Sequence, residues 1–286
     1  MPAQTLGIMA VHAHPDDECI MTGGVLAKAS AAGHRTSVVT CTGGEMGEIV
    51  GDGMDPDEIR PRLHEVRAAE LAKALEILGV TDARSLGYRD SGMMGEPSND
   101  DPACFWQADL HEAVGRLVAH IREFRPAVLA TYDAFGGYGH PDHIQAHRVA
   151  VLAAEAAGEA MLYPEAGPAW RVPKVYQAVM AKQAVFDVSR KLTGLGLESP
   201  FPVVDHPADM PVGADASVIT AQVDVRAHLD AKTDGLLAHT SQIAPDSFFV
   251  TFPADLRGDM FGVEAYVRQR SDVQVPFHES DLFTGL

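Results

Sequence analysis

A short stretch near the start of the chain places histidines and carboxylates side by side. The stretch HAHPDDE holds five such side chains: His12, His14, Asp16, Asp17 and Glu18. Imidazole nitrogens and carboxylate oxygens bind divalent metal ions, and a carboxylate near such an ion can act as a general base. An alternative is that Asp16 or Asp17 only caps the next helix. Capping would leave His14 unexplained, so the stretch favours a metal or catalytic site.

A second stretch of the same kind lies near the middle of the chain. Residues 138–143 read YGHPDH, and His147 follows. Pro141 suits the first turn of a helix, which would place His143 and His147 on one helical face. We interpret His147 as a structural residue and assign His140 and His143 to the site. Two imidazoles and one carboxylate from the two stretches would bind one metal and leave a coordination position open, an arrangement that suits zinc and also Fe(II).

Several other catalytic motifs are absent from the sequence. No H-E pair completes HExxH, no serine lies in GxSxG, and no Gly-Lys dipeptide forms a P-loop. The glycine-rich stretch GGEMG at 43–47 lacks the spacing of a dinucleotide-binding loop. We interpret it as a loop with positive φ angles, and the alternative is that Glu45 or Glu48 borders the pocket.

Each histidine stretch follows a short apolar run that is typical of a strand buried on both faces. Strands predicted at 6–11, 35–41 and 127–132 alternate with helices, which indicates an α/β fold: a mostly parallel sheet with helices on both faces. The carboxyl ends of parallel strands share one edge, so both stretches would meet there. The other predicted elements are helices at 23–32, 57–78, 108–124, 141–157 and 225–238, strands at 175–180 and 218–225, and a long loop at 194–215.

The composition narrows the class of protein. The 286 residues include 22 basic and 40 acidic side chains, a net charge of −18, and 46% are hydrophobic. This acidic balance argues against nucleic acid or an anionic membrane as a partner. The three cysteines form no C-x-x-C pair, the first residues lack the basic segment of a signal peptide, and no apolar run is long enough to span a bilayer. We therefore expect a cytoplasmic globular protein.

We interpret residues 1–286 as a single domain. Residues 1–165 form the α/β core that carries both histidine stretches. Residues 166–286 form a C-terminal elaboration that covers the site and shapes the substrate pocket. The alternative is two separate domains divided near residue 165.

The two histidine stretches also carry a resemblance to a known family. AHPDDE and GHPDH resemble the motifs of the PIG-L/LmbE-like superfamily of zinc N-deacetylases, and the chain is most similar to its mycothiol-pathway members. Further similarity covers most of the chain. It lies in TGGE at 42–45, GE at 47–48, RDSG at 89–92, TYD at 131–133, GGYGH at 136–140 and AHTSQ at 238–242. The resemblance implies a Rossmann-like, LmbE-like fold, a zinc cofactor and hydrolysis of an amide bond.

Positions that match the family's motifs have implied roles. The resemblance implies that His14, Asp17 and His143 bind zinc. It implies three catalytic roles: Asp16 as general base, Tyr138 as oxyanion donor and His140 as general acid. It also implies that Arg67 and Asp90 bind the substrate. From the residues alone, Arg67 could instead be a solvated charge on a helix, and Asp90 a turn-forming residue. We interpret Cys19 as a small buried residue.

The substrate that the resemblance implies is a small N-acetylated amino sugar, N-acetylglucosaminyl-inositol, deacetylated in mycothiol biosynthesis. Alternatives are a mycothiol S-conjugate amidase with a thiol-conjugate substrate, a deacetylase or amidase of specialised metabolism, and a metal-dependent sugar-binding protein without catalysis. Met21 stands where the amidase relative has a lysine, which favours the acetylated sugar. The acyl group, the metal used in the cell and the oligomeric state stay open.

Overall fold

Seven strands form one sheet in the computed structural model, which describes residues 5–286. The strands are β1 Gly7–His12, β2 Arg35–Thr42, β3 Asp82–Tyr88, β4 Val128–Tyr132, β5 Lys174–Val179, β6 Ala221–Asp224 and β7 Val263–Ser271. Their order across the sheet is β3-β2-β1-β4-β5-β7-β6. The first five in this order run parallel, and β7 is antiparallel to β5 and β6. The prediction of a mostly parallel sheet is confirmed.

Helices cover both faces of this sheet. They are α1 Asp17–Met21, α2 Gly23–Ala31, α3 Pro56–Ile59, α4 Leu63–Leu78, α5 Leu110–Phe124, α6 Gly136–Gly139, α7 Pro141–Ala156, α8 Lys182–Gly194, α9 Leu229–Leu237, α10 Phe248–Thr251 and α11 Arg257–Phe261. Within the described part of the chain, no helix combines the length and the apolar character that a membrane crossing requires.

The central strand β1 is buried along its whole length. Met9 and Val11 belong to the core cluster with α5 and α7, whereas Ile8 and Ala10 belong to the cluster with α2, α4 and α9. Successive side chains of a strand point to opposite faces, so a strand covered on both faces is apolar at every position. The first strand is therefore a continuous apolar run up to His12.

Some elements differ from the sequence prediction. The helix predicted at 57–78 is divided into α3, a 3₁₀ turn at Arg60–Arg62 and α4, because Pro61 has no N–H to donate. The sequence prediction missed β3, α8 and β7. Strand β3 lies at the sheet edge, and only Leu86 among its seven residues is buried, so it lacks the apolar run that marks β1.

The order in which the chain connects the strands creates a crevice next to β1. The chain passes from β1 to β2 on one side, and β4 pairs with β1 on the other. Loops that follow two such strands diverge to opposite faces and leave a space between them. The first histidine stretch begins at His12, the last residue of β1, and the second histidine stretch follows β4.

Candidate active site

Two histidines and one aspartate converge at this crevice. His14 Nδ1 and His143 Nε2 each lie 3.4 Å from the same carboxylate oxygen, Oδ2 of Asp17. Ligand atoms of a tetrahedral site with bonds of about 2.0 to 2.1 Å are about 3.3 Å apart. His143 Nε2 is buried and has no hydrogen-bond partner among the described residues. The two distances to Asp17 and the unpartnered nitrogen of His143 are therefore compatible with a divalent metal ion bound by these residues.

The second nitrogen of each metal-site imidazole is hydrogen-bonded. His14 Nε2 lies 3.1 Å from Oδ2 of Asp142, and His143 Nδ1 lies 3.1 Å from the carbonyl oxygen of Gly136. Donation of an N–H to each of these oxygens leaves His14 Nδ1 and His143 Nε2 with a lone pair for a metal ion next to Asp17, which is the tautomer that metal binding requires. Gly136 has φ +67°, and a Cβ there would lie 2.6 Å from Cβ of His143, so this close approach requires glycine.

Asp142 is a site residue that the sequence analysis did not assign. Its side chain is fully buried and accepts hydrogen bonds from the backbone N–H of Ser91, at 2.9 Å, and from the Ser91 hydroxyl. Ser91 belongs to the RDSG motif after β3, so a third loop holds the carboxylate that orients His14. The position of Asp142 between two histidines could have marked it as a site residue. Its partner His14, however, lies far away in the sequence.

Asp16 lies beside the metal-site residues and faces the same cavity. Its carboxylate makes no capping hydrogen bond to α1, so the interpretation of Asp16 as a helix cap is wrong. Oδ2 of Asp16 accepts a hydrogen bond of 3.0 Å from Arg67. Burial raises the pKa of Asp16 to about 6, although Arg67 opposes the rise. A carboxylate with this pKa can take and return a proton near neutral pH.

Tyr138 and His140 lie on the side of the cavity formed by the loop after β4. His140 Nδ1 accepts a hydrogen bond of 3.1 Å from the backbone N–H of Asp142. This hydrogen bond caps α7, and it leaves Nε2 of His140 as the nitrogen that carries the proton. Burial, together with His14 and His143, lowers the pKa of His140 to about 3. The Tyr138 ring centroid lies 5.0 Å from that of His143, and partial desolvation of this half-exposed residue raises the pKa of its hydroxyl, which stays a donor. Both residues thus offer neutral hydrogen-bond donors.

Arg67 and Asp90 line the same cavity and also hold its walls together. Arg67 is only 3% exposed, so the interpretation as a solvated charge is wrong. Its guanidinium donates to the carbonyl oxygens of Gly44, at 2.8 Å, and of Pro15. Asp90 accepts the N–H of Gly92 at 2.8 Å in a local turn. Its position therefore combines turn formation with a place in the cavity wall.

The cavity has a volume of about 430 Å³ and is lined by all eight residues that the sequence analysis assigned. Glu48 also lines it, whereas Glu45 accepts the backbone N–H of Asp90 at 3.0 Å. Five apolar side chains also line the wall: Ile20, Met21, Met46, Met93 and Met180. The space is large enough for a small molecule such as a sugar.

The fold and the site together define a metal-dependent hydrolase built on a mostly parallel α/β sheet. His14, His140 and His143 each offer a ligand atom within 4.8 Å of one another, and Asp17 lies between two of them. A cluster of this kind beside a further carboxylate is an arrangement that metal-assisted hydrolysis can use.

Comparison with known proteins identifies the family. Residues 9–154 match PIG-L, described as GlcNAc-PI de-N-acetylase. A relative from Geodermatophilus obscurus, 1D-myo-inositol 2-acetamido-2-deoxy-alpha-D-glucopyranoside deacetylase, is 43% identical, and the match covers 98% of this chain and 97% of the relative. The chain belongs to the PIG-L family and is a hydrolytic N-deacetylase.

Proteins of the same fold with solved structures are named for different reactions. N,N'-diacetylchitobiose deacetylase from Pyrococcus horikoshii has a TM-score of 0.64 and 18% identity over 92% of this chain and 83% of that one. GalB, the 4-carboxy-2-hydroxymuconate hydratase from Pseudomonas putida, has a TM-score of 0.60 and 18% identity over 95% and 99%. The fold therefore does not define the reaction, and the side chains of the site must.

Proposed function

We propose that this protein is a zinc-dependent deacetylase that hydrolyses the N-acetyl group of N-acetylglucosaminyl-inositol in mycothiol biosynthesis. The products would be acetate and the free amino sugar. The observation that carries the proposal is the convergence of His14, Asp17 and His143 beside the carboxylate of Asp16. A full-length relative named for this deacetylation supports the choice of substrate.

His14, Asp17 and His143 would hold the metal ion. Imidazole nitrogens with one carboxylate oxygen are a donor set that zinc accepts, and Fe(II) accepts it too. A bound divalent ion would polarise the amide carbonyl and lower the pKa of the attacking water. Metal analysis of the protein as purified would distinguish the two ions.

Asp16 would act as the general base. It takes a proton from water as the water oxygen bonds to the amide carbon, and its pKa of about 6 keeps it ionised at neutral pH. Tyr138 and the Nε2–H of His140 donate to the carbonyl oxygen as it becomes negative. When the C–N bond breaks, the leaving nitrogen needs a proton, and Asp16 holds the one from water. The hydrogen bond at His140 Nδ1 supports a donor role for His140 better than the general-acid role that the resemblance implies.

The substrate would be held by residues from both parts of the chain. We propose that Arg67 and Asp90 contact the sugar, since both line the cavity. Met180, Gly213 and Gln242 come from residues 166–286 and line it as well. Strands β5, β6 and β7 continue the same sheet. These placements support a single domain whose C-terminal part completes the pocket.

The proposal is tested with metal-loaded protein and N-acetylglucosaminyl-inositol. We expect release of acetate and free amine. Asp16→Ala should retain the metal and lose at least about 10²-fold in kcat, the contribution of a general base. The exposed Asp230 provides the control, since Asp230→Ala removes a carboxylate from the surface. Absence of acetate release by loaded wild-type protein would contradict the proposal, and rapid cleavage of a mycothiol S-conjugate with slow deacetylation would favour the amidase.

A further inference from the structure

Two buried side chains form a hydrogen-bonded pair behind the loop that carries Asp16. Nε2 of His239 lies 2.8 Å from Oε1 of Glu18, and both residues are 0% exposed. Neither residue lines the cavity. They therefore cannot touch a substrate there, and any effect on the reaction must pass through other residues.

Glu18 connects this pair to Asp16. The second carboxylate oxygen of Glu18, Oε2, accepts the backbone N–H of Asp16 at 2.8 Å. Asp16 has φ +113°, a backbone conformation that residues other than glycine rarely adopt. Such a conformation persists only where surrounding contacts hold it. The contact from Glu18 is one of these, and it fixes the direction in which the Asp16 side chain leaves the backbone.

His239 is itself held in place from α4. Glu70 accepts hydrogen bonds from the Thr240 hydroxyl at 2.8 Å and from the N–H and hydroxyl of Ser241, both at 2.7 Å. The next residue, Gln242, lines the cavity. A rigid segment after α9 thus presents the His239 imidazole to Glu18.

The same residues do not suit a second metal site. Glu18, Cys19 and His239 offer ligand atoms within 4.8 Å of one another. However, Glu18 Oε1 already contacts the imidazole at 2.8 Å and the Cys19 thiol at 3.1 Å. An ion would have to displace both hydrogen bonds, so the contacts describe a hydrogen-bonded network.

We propose that Glu18 and His239 are positioning residues that hold the Asp16 carboxylate in its reactive orientation. This inference rests on the proposed role of Asp16 as general base. Glu18 holds the Asp16 peptide from one side, and Arg67 holds the Asp16 carboxylate from the other. His239 keeps the Glu18 carboxylate turned toward the Asp16 N–H.

The test compares Glu18→Ala with Glu18→Gln in the zinc-loaded full-length protein, with N-acetylglucosaminyl-inositol as substrate. Alanine removes the acceptor for the Asp16 N–H, whereas glutamine keeps one amide oxygen as an acceptor. Since displacement of a reacting group by about 1 Å can cost about 10²-fold in rate, we expect Glu18→Ala to lower kcat by about 10- to 100-fold. KM and zinc content should stay within about threefold of wild type, and Glu18→Gln should recover most of kcat.

Glu279→Gln is the matched control. Glu279 is also a buried carboxylate with protein partners, Lys174 at 2.5 Å and Tyr176 at 2.7 Å, but it lies outside the cavity wall. We expect its loss of charge to lower the melting temperature and leave kcat of the folded protein unchanged. If Glu18→Ala does not fold, His239→Ala and His239→Gln give the same comparison, because glutamine keeps an N–H donor for Glu18.

Three outcomes would overturn the inference while wild-type protein deacetylates the substrate: unchanged kcat in the alanine variants, equal losses in the alanine and glutamine variants, or a rise in KM with kcat unchanged. Failure of the wild-type protein itself to deacetylate would instead overturn the proposed function on which the inference rests.

Discussion

Replacement of Asp142 should weaken metal binding although Asp142 is not proposed as a ligand. Its Oδ2 lies 3.1 Å from Nε2 of His14 and fixes the tautomer that presents Nδ1 toward Asp17. Residues that orient a metal-bound histidine contribute about 10- to 100-fold to metal affinity. This range equals about 1.4 to 2.8 kcal/mol in the free energy of metal binding. A hydrogen bond to a charged group contributes about 1.5 to 3 kcal/mol, so the two figures agree.

Asp142→Asn keeps the shape and one acceptor oxygen but loses the charge, so we expect a loss of about tenfold in zinc affinity, and about 100-fold for Asp142→Ala. The dissociation constant is measured by competition with a chelator of known affinity, starting from metal-free protein. Ser91→Ala is the control, because it removes one hydrogen bond to Asp142 and leaves the His14 contact intact. Zinc affinity of Asp142→Ala within threefold of wild type would refute the reasoning.

Three further predictions follow from named contacts. Gly44 has φ +69°, and a Cβ there would lie 2.1 Å from the Arg67 guanidinium, so Gly44→Ala should lower the free energy of unfolding, measured in urea, by about 1 to 3 kcal/mol. Tyr138→Phe should lower kcat by about 10²-fold with little change in KM, as for a lost oxyanion donor; an equal rise in KM would point to ground-state binding instead. The hydrogen bond from Arg171 lowers the pKa of Asp272 to about 2. Asp272→Asn should therefore cost about 1 kcal/mol of stability at neutral pH, allowing for solvent screening. The cost should be fully present above about pH 4 and disappear as the pH falls through the folded-state pKa, which urea titrations at several pH values would check.

Much of the core fold could be predicted from local patterns. β1 and β4 are apolar because they are buried on both faces, and α7 begins at Pro141 as its residue type indicates. The later elements were harder. β7 pairs with β5 and β6 across the sheet and includes glutamate, glutamine and arginine. Its strand conformation depends on these partners more than on its own residues.

The sequence by itself determined which side chains could do chemistry and that each group follows a strand of a parallel sheet. Residue type and strand order are local properties, so they were sufficient to propose two imidazoles and one carboxylate from the two histidine stretches as metal ligands, whereas the choice of His14, Asp17 and His143 came from the family resemblance. Only the tertiary structure decided which distant residues orient them. His14 meets Asp142 across 128 positions, and Glu18 meets His239 across 221. Such pairings depend on how strands and helices pack, and a buried polar group takes the partner that packing places within hydrogen-bond distance.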